Sequence, residues 1–122
     1  MRMFLTLCLL LTSLSAQADA PKRIVSLGGD ITEIVYALGF GDHLVGTDTT
    51  STYPDAAQKL PQLGYVRALS AEGIASLSPD LVLAAAEAGP PPAIGMTRKL
   101  GIAVVQAPIA RDPQGITNKI KT

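Results

Sequence analysis

Two hydrophobic rhythms alternate along this chain. Short apolar runs rich in β-branched residues occur at residues 23–27, 44–47, 81–85 and 102–105, and each reads as a strand. Between them, apolar positions recur every three or four residues, as on one face of a helix. Ile31, Ile34, Val35 and Leu38 form such a stripe. Asp30 reads as its N-cap with Glu33 three positions on, the pattern of a capping box, and Gly39 reads as its stop. Residues 54–59 allow one or two helical turns before Leu60-Pro61. Ser70 caps a helix running to Leu77, with Glu72 in its first turn. Pro90-Pro91-Pro92 opens a helix that ends at Leu100-Gly101, and Asp112 with Pro113 opens another. The run at 81–85 is apolar on both faces, as a central parallel strand is. The fold class predicted is α/β, a Rossmann-like lobe with a mostly parallel sheet flanked by helices.

The first eighteen residues stand outside this alternation. A charged start (Met1-Arg2-Met3), an apolar run from Phe4 to Leu11 and the Ala16-Gln17-Ala18 triplet make a secretory signal peptide. The run is too short to span a bilayer. Cleavage is expected after Ala18, leaving residues 19–122 as a soluble chain in an exported compartment. Cys8 is the only cysteine and lies in this leader, so the mature chain has no disulfide, thiolate metal site or cysteine nucleophile.

Ten basic and ten acidic residues leave a formal net charge of zero, and the chain has no Trp. A nucleic-acid partner is therefore not expected. The single histidine, His43, cannot build a multi-histidine metal site and reads as a surface turn residue.

Ligands of open parallel sheets bind beyond the carboxyl ends of the strands. Three segments fall there: Gly28-Gly29-Asp30, Asp48-Thr49-Thr50 and Glu87-Ala88-Gly89. None forms G-x-G-x-x-G, and there is no Walker A lysine, so a nucleotide site is not indicated. More informative is Tyr65, two positions before Arg67 and between Gly64 and Ser70. In an extended segment such residues point to the same side. A phenolate is a hard donor suited to ferric iron, and tyrosine is among the axial ligands of haem. A neighbouring guanidinium favours an ionised phenol. Of the other tyrosines, Tyr53 beside Pro54 reads as a packed turn residue and Tyr36 as core.

These stretches carry a resemblance. Residues 23–34, 44–51, 60–73 and 78–83, with Glu87-Ala88-Gly89-Pro90-Pro91-Pro92, resemble the periplasmic haem-binding proteins of bacterial ABC haem importers. That family lies within the wider group of cobalamin- and siderophore-binding proteins. Gly64-Tyr65-Val66-Arg67-Ala68-Leu69-Ser70 is similar to the haem branch in particular. The resemblance implies two lobes joined by a long helix with ligand between them. Residues 19–110 then form the first lobe and 111–122 the truncated start of the interlobe helix, with the second lobe absent.

It also implies roles. Tyr65 is the axial ligand of ferric haem and Arg67 hydrogen-bonds its phenolate. The Gly28-Gly29 turn lets backbone approach the porphyrin. Thr50, with Thr49 and Ser51, either hydrogen-bonds the propionates or belongs to an ordinary polar loop. The implied partners are haem, an inner-membrane permease with its ATPase, and an outer-membrane haem receptor system. Glu72 and Glu87 are candidates for permease docking. Catalysis is not expected. The alternatives are a cobalamin or ferric-siderophore carrier of the same fold, a small α/β hydrolase, or a non-functional truncation with an exposed apolar surface. Against the hydrolase, the chain lacks G-x-S-x-G, an available cysteine and a well-placed histidine.

Overall fold

The computed structural model describes residues 19–109 and 113–122. The expected leader and the expected cap Asp112 lie outside the described residues. Four strands alternate with four helices: β1 (Ile24–Leu27), α1 (Gly29–Ala37), β2 (Leu44–Thr47), α2 (Ala71–Ser76), β3 (Leu81–Ala84), α3 (Pro91–Lys99), β4 (Ala103–Gln106) and α4 (Pro113–Lys121). Short 3-10 helices occupy Gly41–His43 and Asp55–Lys59. The strands form one parallel sheet in the order β2-β1-β3-β4. The α/β lobe predicted from the hydrophobic rhythm is the fold observed.

Every residue of β1 is buried, because neighbouring strands flank it and helices cover both its faces. Val25 and Leu27 join Val82 and Ala84 beneath Ile74 of α2 and Ile94 of α3. On the other face, Ile24 and Leu44 pack with Val35 of α1. Leu27, Ile74, Val25 and Val82 are fully buried, and each such side chain contributes about 1.5–3 kcal/mol of transfer free energy. Beyond β2, residues 61–64 run alongside its edge, joined by a parallel bridge between Thr47 and Gln62. The other edge, β4, is half-exposed along its length.

Two expectations are corrected. The cap of α1 is Gly28, not Asp30; Asp30 lies inside the first turn, where its carboxylate accepts from the Ile31 N–H (2.8 Å). The capping box fails because the chain enters the helix two residues early. Leu38, the last member of the predicted stripe, is 63% exposed. It stands beyond the last helical turn, where it borders an apolar groove with Phe40, Leu81 and Leu83. The helix does stop at Gly39: Phe40 N–H donates to the Val35 carbonyl and Gly39 N–H to that of Tyr36, the two bonds of a Schellman motif. The Ser70 cap is present, its hydroxyl accepting from Gly73 N–H at 3.0 Å.

Where β1 passes into α1, Gly28 adopts φ +117°, and an added Cβ would stand 2.7 Å from the Ala85 Cβ. Gly28→Ala is expected to destabilise the lobe by about 1–3 kcal/mol through backbone strain and overpacking. Urea unfolding should show a lower midpoint with an unchanged slope.

Candidate functional site

The strand order places β2 on one side of β1 and β3 on the other, so the chain's topological switch point lies between β1 and β3. At the carboxyl ends of these strands three loops meet. Asp48, fully buried, is the residue around which they are arranged. Its carboxylate accepts from Gly28 N–H (2.8 Å), Thr50 N–H (2.9 Å), the Thr50 hydroxyl (2.5 Å) and the Ser51 hydroxyl (2.8 Å). Burial alone would push the Asp48 carboxyl above its usual range. The hydrogen bonds from the Thr50 hydroxyl, Gly28 N–H, Thr50 N–H and the Ser51 hydroxyl outweigh it and hold the carboxyl below that range.

A carboxylate only accepts, so it fixes the direction of the hydroxyls behind it. Ser51 donates to Asp48. Thr32 of α1 therefore donates to Ser51 (2.7 Å), and Ser26 of β1 to Thr32 (2.7 Å). This buried chain joins β1, α1 and the loop after β2. The sequence places Asp48 in a strand-end segment but gives it no role of its own. The signal was an aspartate followed by four hydroxyl residues, Thr49 to Thr52, at a strand end, where such side chains fold back on local N–H groups.

The predicted site residues are placed as follows. Gly28 N–H is committed to Asp48, and Gly29 N–H donates to the Thr50 hydroxyl oxygen at 3.1 Å. A Cβ on Gly29 would lie 2.6 Å from the Thr50 carbonyl oxygen. Both glycines thus have a packing reason to be glycine. The Thr50 and Ser51 hydroxyl protons go to Asp48 rather than outward.

Tyr65 and Arg67 do not lie in an extended segment. Gly64 has φ +94°, and Ala68 N–H donates back to the Tyr65 carbonyl at 2.8 Å, so residues 65–68 form a turn. The alternation in–out survives in another form: Val66 is buried, whereas Tyr65 is 51% exposed and Arg67 is exposed. Among the described residues, no hydrogen bond links the Tyr65 hydroxyl to Arg67. The turn is held at its backbone. Thr49 N–H donates to the Gly64 carbonyl (2.9 Å), Gly89 N–H to the Val66 carbonyl (2.9 Å) and Leu69 N–H to the Gly89 carbonyl (2.9 Å). Tyr65 is therefore presented to solvent from a turn suspended between the loops that follow β2 and β3.

The remaining candidates are elsewhere. Tyr53 is 66% exposed, not the packed residue expected. Tyr36 lies half-buried against Gly41. His43 stacks obliquely on Phe40, with centroids 5.5 Å apart, where the chain enters β2. It is at the end of the sheet opposite Tyr65. Glu72 and Glu87 are both exposed. A groove of about 220 Å³ between α1, the sheet and α4 is lined by Ile31, Leu83, Val105, Ala107 and Ile120, and none of the rim residues borders it. Among the described residues no group of three His, Cys, Asp or Glu side chains could hold a bare metal ion, and no helix is long and apolar enough to cross a membrane.

The sheet and its strand-end loops are those of a periplasmic binding protein lobe, as comparison with known proteins shows. Residues 24–122 match the periplasmic binding protein family, and the chain belongs to it. A vitamin B12-binding protein of Vibrio vulnificus is 45% identical over 76 residues, covering 62% of this chain and 28% of that protein. The chain thus spans under a third of that relative's length. Among solved structures, the periplasmic haem-binding protein BhuT in complex with two haems is 49% identical with a TM-score of 0.75, covering 80% of this chain and 38% of that one. A periplasmic haem-binding protein from Pseudomonas aeruginosa is 41% identical with a TM-score of 0.77, covering 81% of this chain and 36% of that one.

The depressed Asp48 carboxyl carries a pH signature. Its contribution to stability is complete above the unfolded value of about 3.9 and is lost as pH falls through the lower folded value. Asp48→Asn should cost about 1.5–3 kcal/mol at pH 7. Urea midpoints followed downward from pH 5 should fall less steeply in the variant than in the wild type.

Proposed function

We propose that this chain is the N-terminal ligand-binding lobe of a periplasmic carrier that delivers ferric haem to an inner-membrane ABC permease and its ATPase. In this reading residues 1–18 are an export signal, 19–110 the lobe and 111–122 the opening of a helix toward a second lobe. The lobe binds and releases; it performs no catalysis.

One observation carries the reading: a half-exposed tyrosine on a backbone-clamped turn at the ligand rim, with an exposed arginine two residues on. Haem brings four nitrogen donors to its iron, so a single protein oxygen completes a usable coordination sphere. Tyr65 supplies that oxygen as phenolate, and Arg67 turns to donate to it once iron has displaced the proton. Gly28, Gly29 and Thr50 act behind this ligand, building the rim that sets where the turn stands. The likeness to two haem-binding proteins over about four-fifths of the chain supports the same ligand.

The relatives that bind vitamin B12 favour a second reading, a cobalamin carrier on the same skeleton. It differs chemically, because a cobalamin carrier has no need of an axial phenolate.

Titration of residues 19–122 with ferric haem should give a high-spin, tyrosinate-type absorbance spectrum. Tyr65→Phe should abolish that signature and weaken binding by at least about tenfold, or 1.4 kcal/mol, while Tyr53→Phe should retain it. Saturable cyanocobalamin binding that is indifferent to Tyr65→Phe, with no saturable haem binding, would establish the second reading instead. Separately, the exported protein should begin at Asp19, as read by intact mass; an unprocessed mass would remove the export signal.

A further inference from the structure

We propose that Asp48 is the positioning residue for Tyr65, holding the ligand-bearing turn in place from the far side of its own strand end. This rests on the reading of Tyr65 as the ligand, and goes beyond it by assigning the residue that sets where the ligand stands.

Residue 48 is a joint between two sets of bonds. Its side chain faces the loop after β1, where it holds Gly28 and, through Ser51 and Thr32, the body of α1. Its chain neighbours face the other way. Thr47 N–H donates to the Pro61 carbonyl (3.0 Å), Leu63 N–H to the Thr47 carbonyl (2.8 Å) and Thr49 N–H to the Gly64 carbonyl (2.9 Å). Gly64 directly precedes Tyr65. The second suspension of the turn, at Gly89, comes from the loop after β3 and does not involve Asp48. Removing the carboxylate therefore loosens one of two attachments and leaves the other.

The buried position makes the carboxylate irreplaceable by its amide. All four partners of Asp48 donate, and an Asn side chain turns one of its two acceptor atoms into a donor. Whichever way the amide is flipped, a donor meets donors. Relief comes from displacement of residues 48–51, and Thr49 moves with them. Tyr65 keeps its turn, through the Ala68 bond, but loses its fixed station relative to the rim.

The test uses the whole chain with Asp48→Asn, beside the wild type, Tyr65→Phe and Val35→Ala, which trims the α1 side of the core. Hydrogen exchange is read first, with no ligand. In Asp48→Asn the Thr49 amide should lose protection by at least about tenfold relative to Val82 in β3, whereas Val35→Ala should lower protection broadly. Uniform loss in Asp48→Asn, or none, overturns the proposal.

Ferric haem is then titrated. Asp48→Asn should bind about tenfold more weakly with a shifted or broadened phenolate charge-transfer band, while Val35→Ala keeps the wild-type band. A wild-type band and affinity in Asp48→Asn, with the band lost in Tyr65→Phe, overturns positioning and leaves Tyr65 as ligand. Indifference of haem binding to Tyr65→Phe overturns the ligand reading and, with it, this role of Asp48, whatever the exchange data show.

Discussion

One buried negative charge organises this lobe. Asp48 sits at the end of β2 with no exposure to water, and such a charge is tolerable only when donors surround it. It has four, drawn from the loop after β1 and from its own loop. The alternative packing, with an unpaired carboxylate in the interior, costs several kcal/mol, so the loops have little choice of arrangement. The close approach of Gly28 and Gly29, the buried hydroxyls of Ser26 and Thr32 and the station of Thr49 are all consequences. The rim owes its shape to electrostatics, whereas the sheet beneath owes its own to burial.

That division explains what was legible in the sequence. The strands and helices follow from apolar spacing, and β1 to β4 and α1 to α3 appear within a residue or two of the predicted limits. Spacing is a local property, and so is the Ser70 cap. The rim was legible in composition but not in geometry. Tyr65 and Arg67 were visible as chemistry, yet the extended segment assumed for them is a turn, because Gly64 takes a left-handed conformation that residue type permits but does not require. Thr50 reads from sequence as an outward hydroxyl, whereas its proton is taken by a carboxylate two residues away. Asp48 was legible as part of a strand-end segment with hydroxyl residues after it, but its bond to Gly28, twenty positions distant, leaves no trace in local pattern. Leu38 failed for the converse reason: a helical stripe says which face is apolar, not where the neighbouring elements stop covering it.

The likeness to both haem-binding and vitamin B12-binding proteins follows from the same division. The skeleton of sheet, helices and strand-end loops is indifferent to the cargo. What a carrier grips depends on side chains that point off the rim, and in this chain Tyr65 and Tyr53 are the exposed aromatic residues of those loops. A shared fold is thus weak evidence on ligand, and the proposed haem role rests on residue 65.

The suspension of residues 64–69 by main-chain bonds has one more consequence. Gly64, Val66 and Leu69 set the turn's conformation, and its anchors at Thr49 and Gly89 are peptide groups. Among the described residues no hydrogen bond ties the half-exposed side chain at position 65 to its own support. Under the proposed haem role, the gripping group is an interchangeable tool in a backbone socket. An imidazole, a thioether or an indole placed there would meet the same backbone, so exchanging the side chain at 65 leaves the main-chain bonds of its support in place.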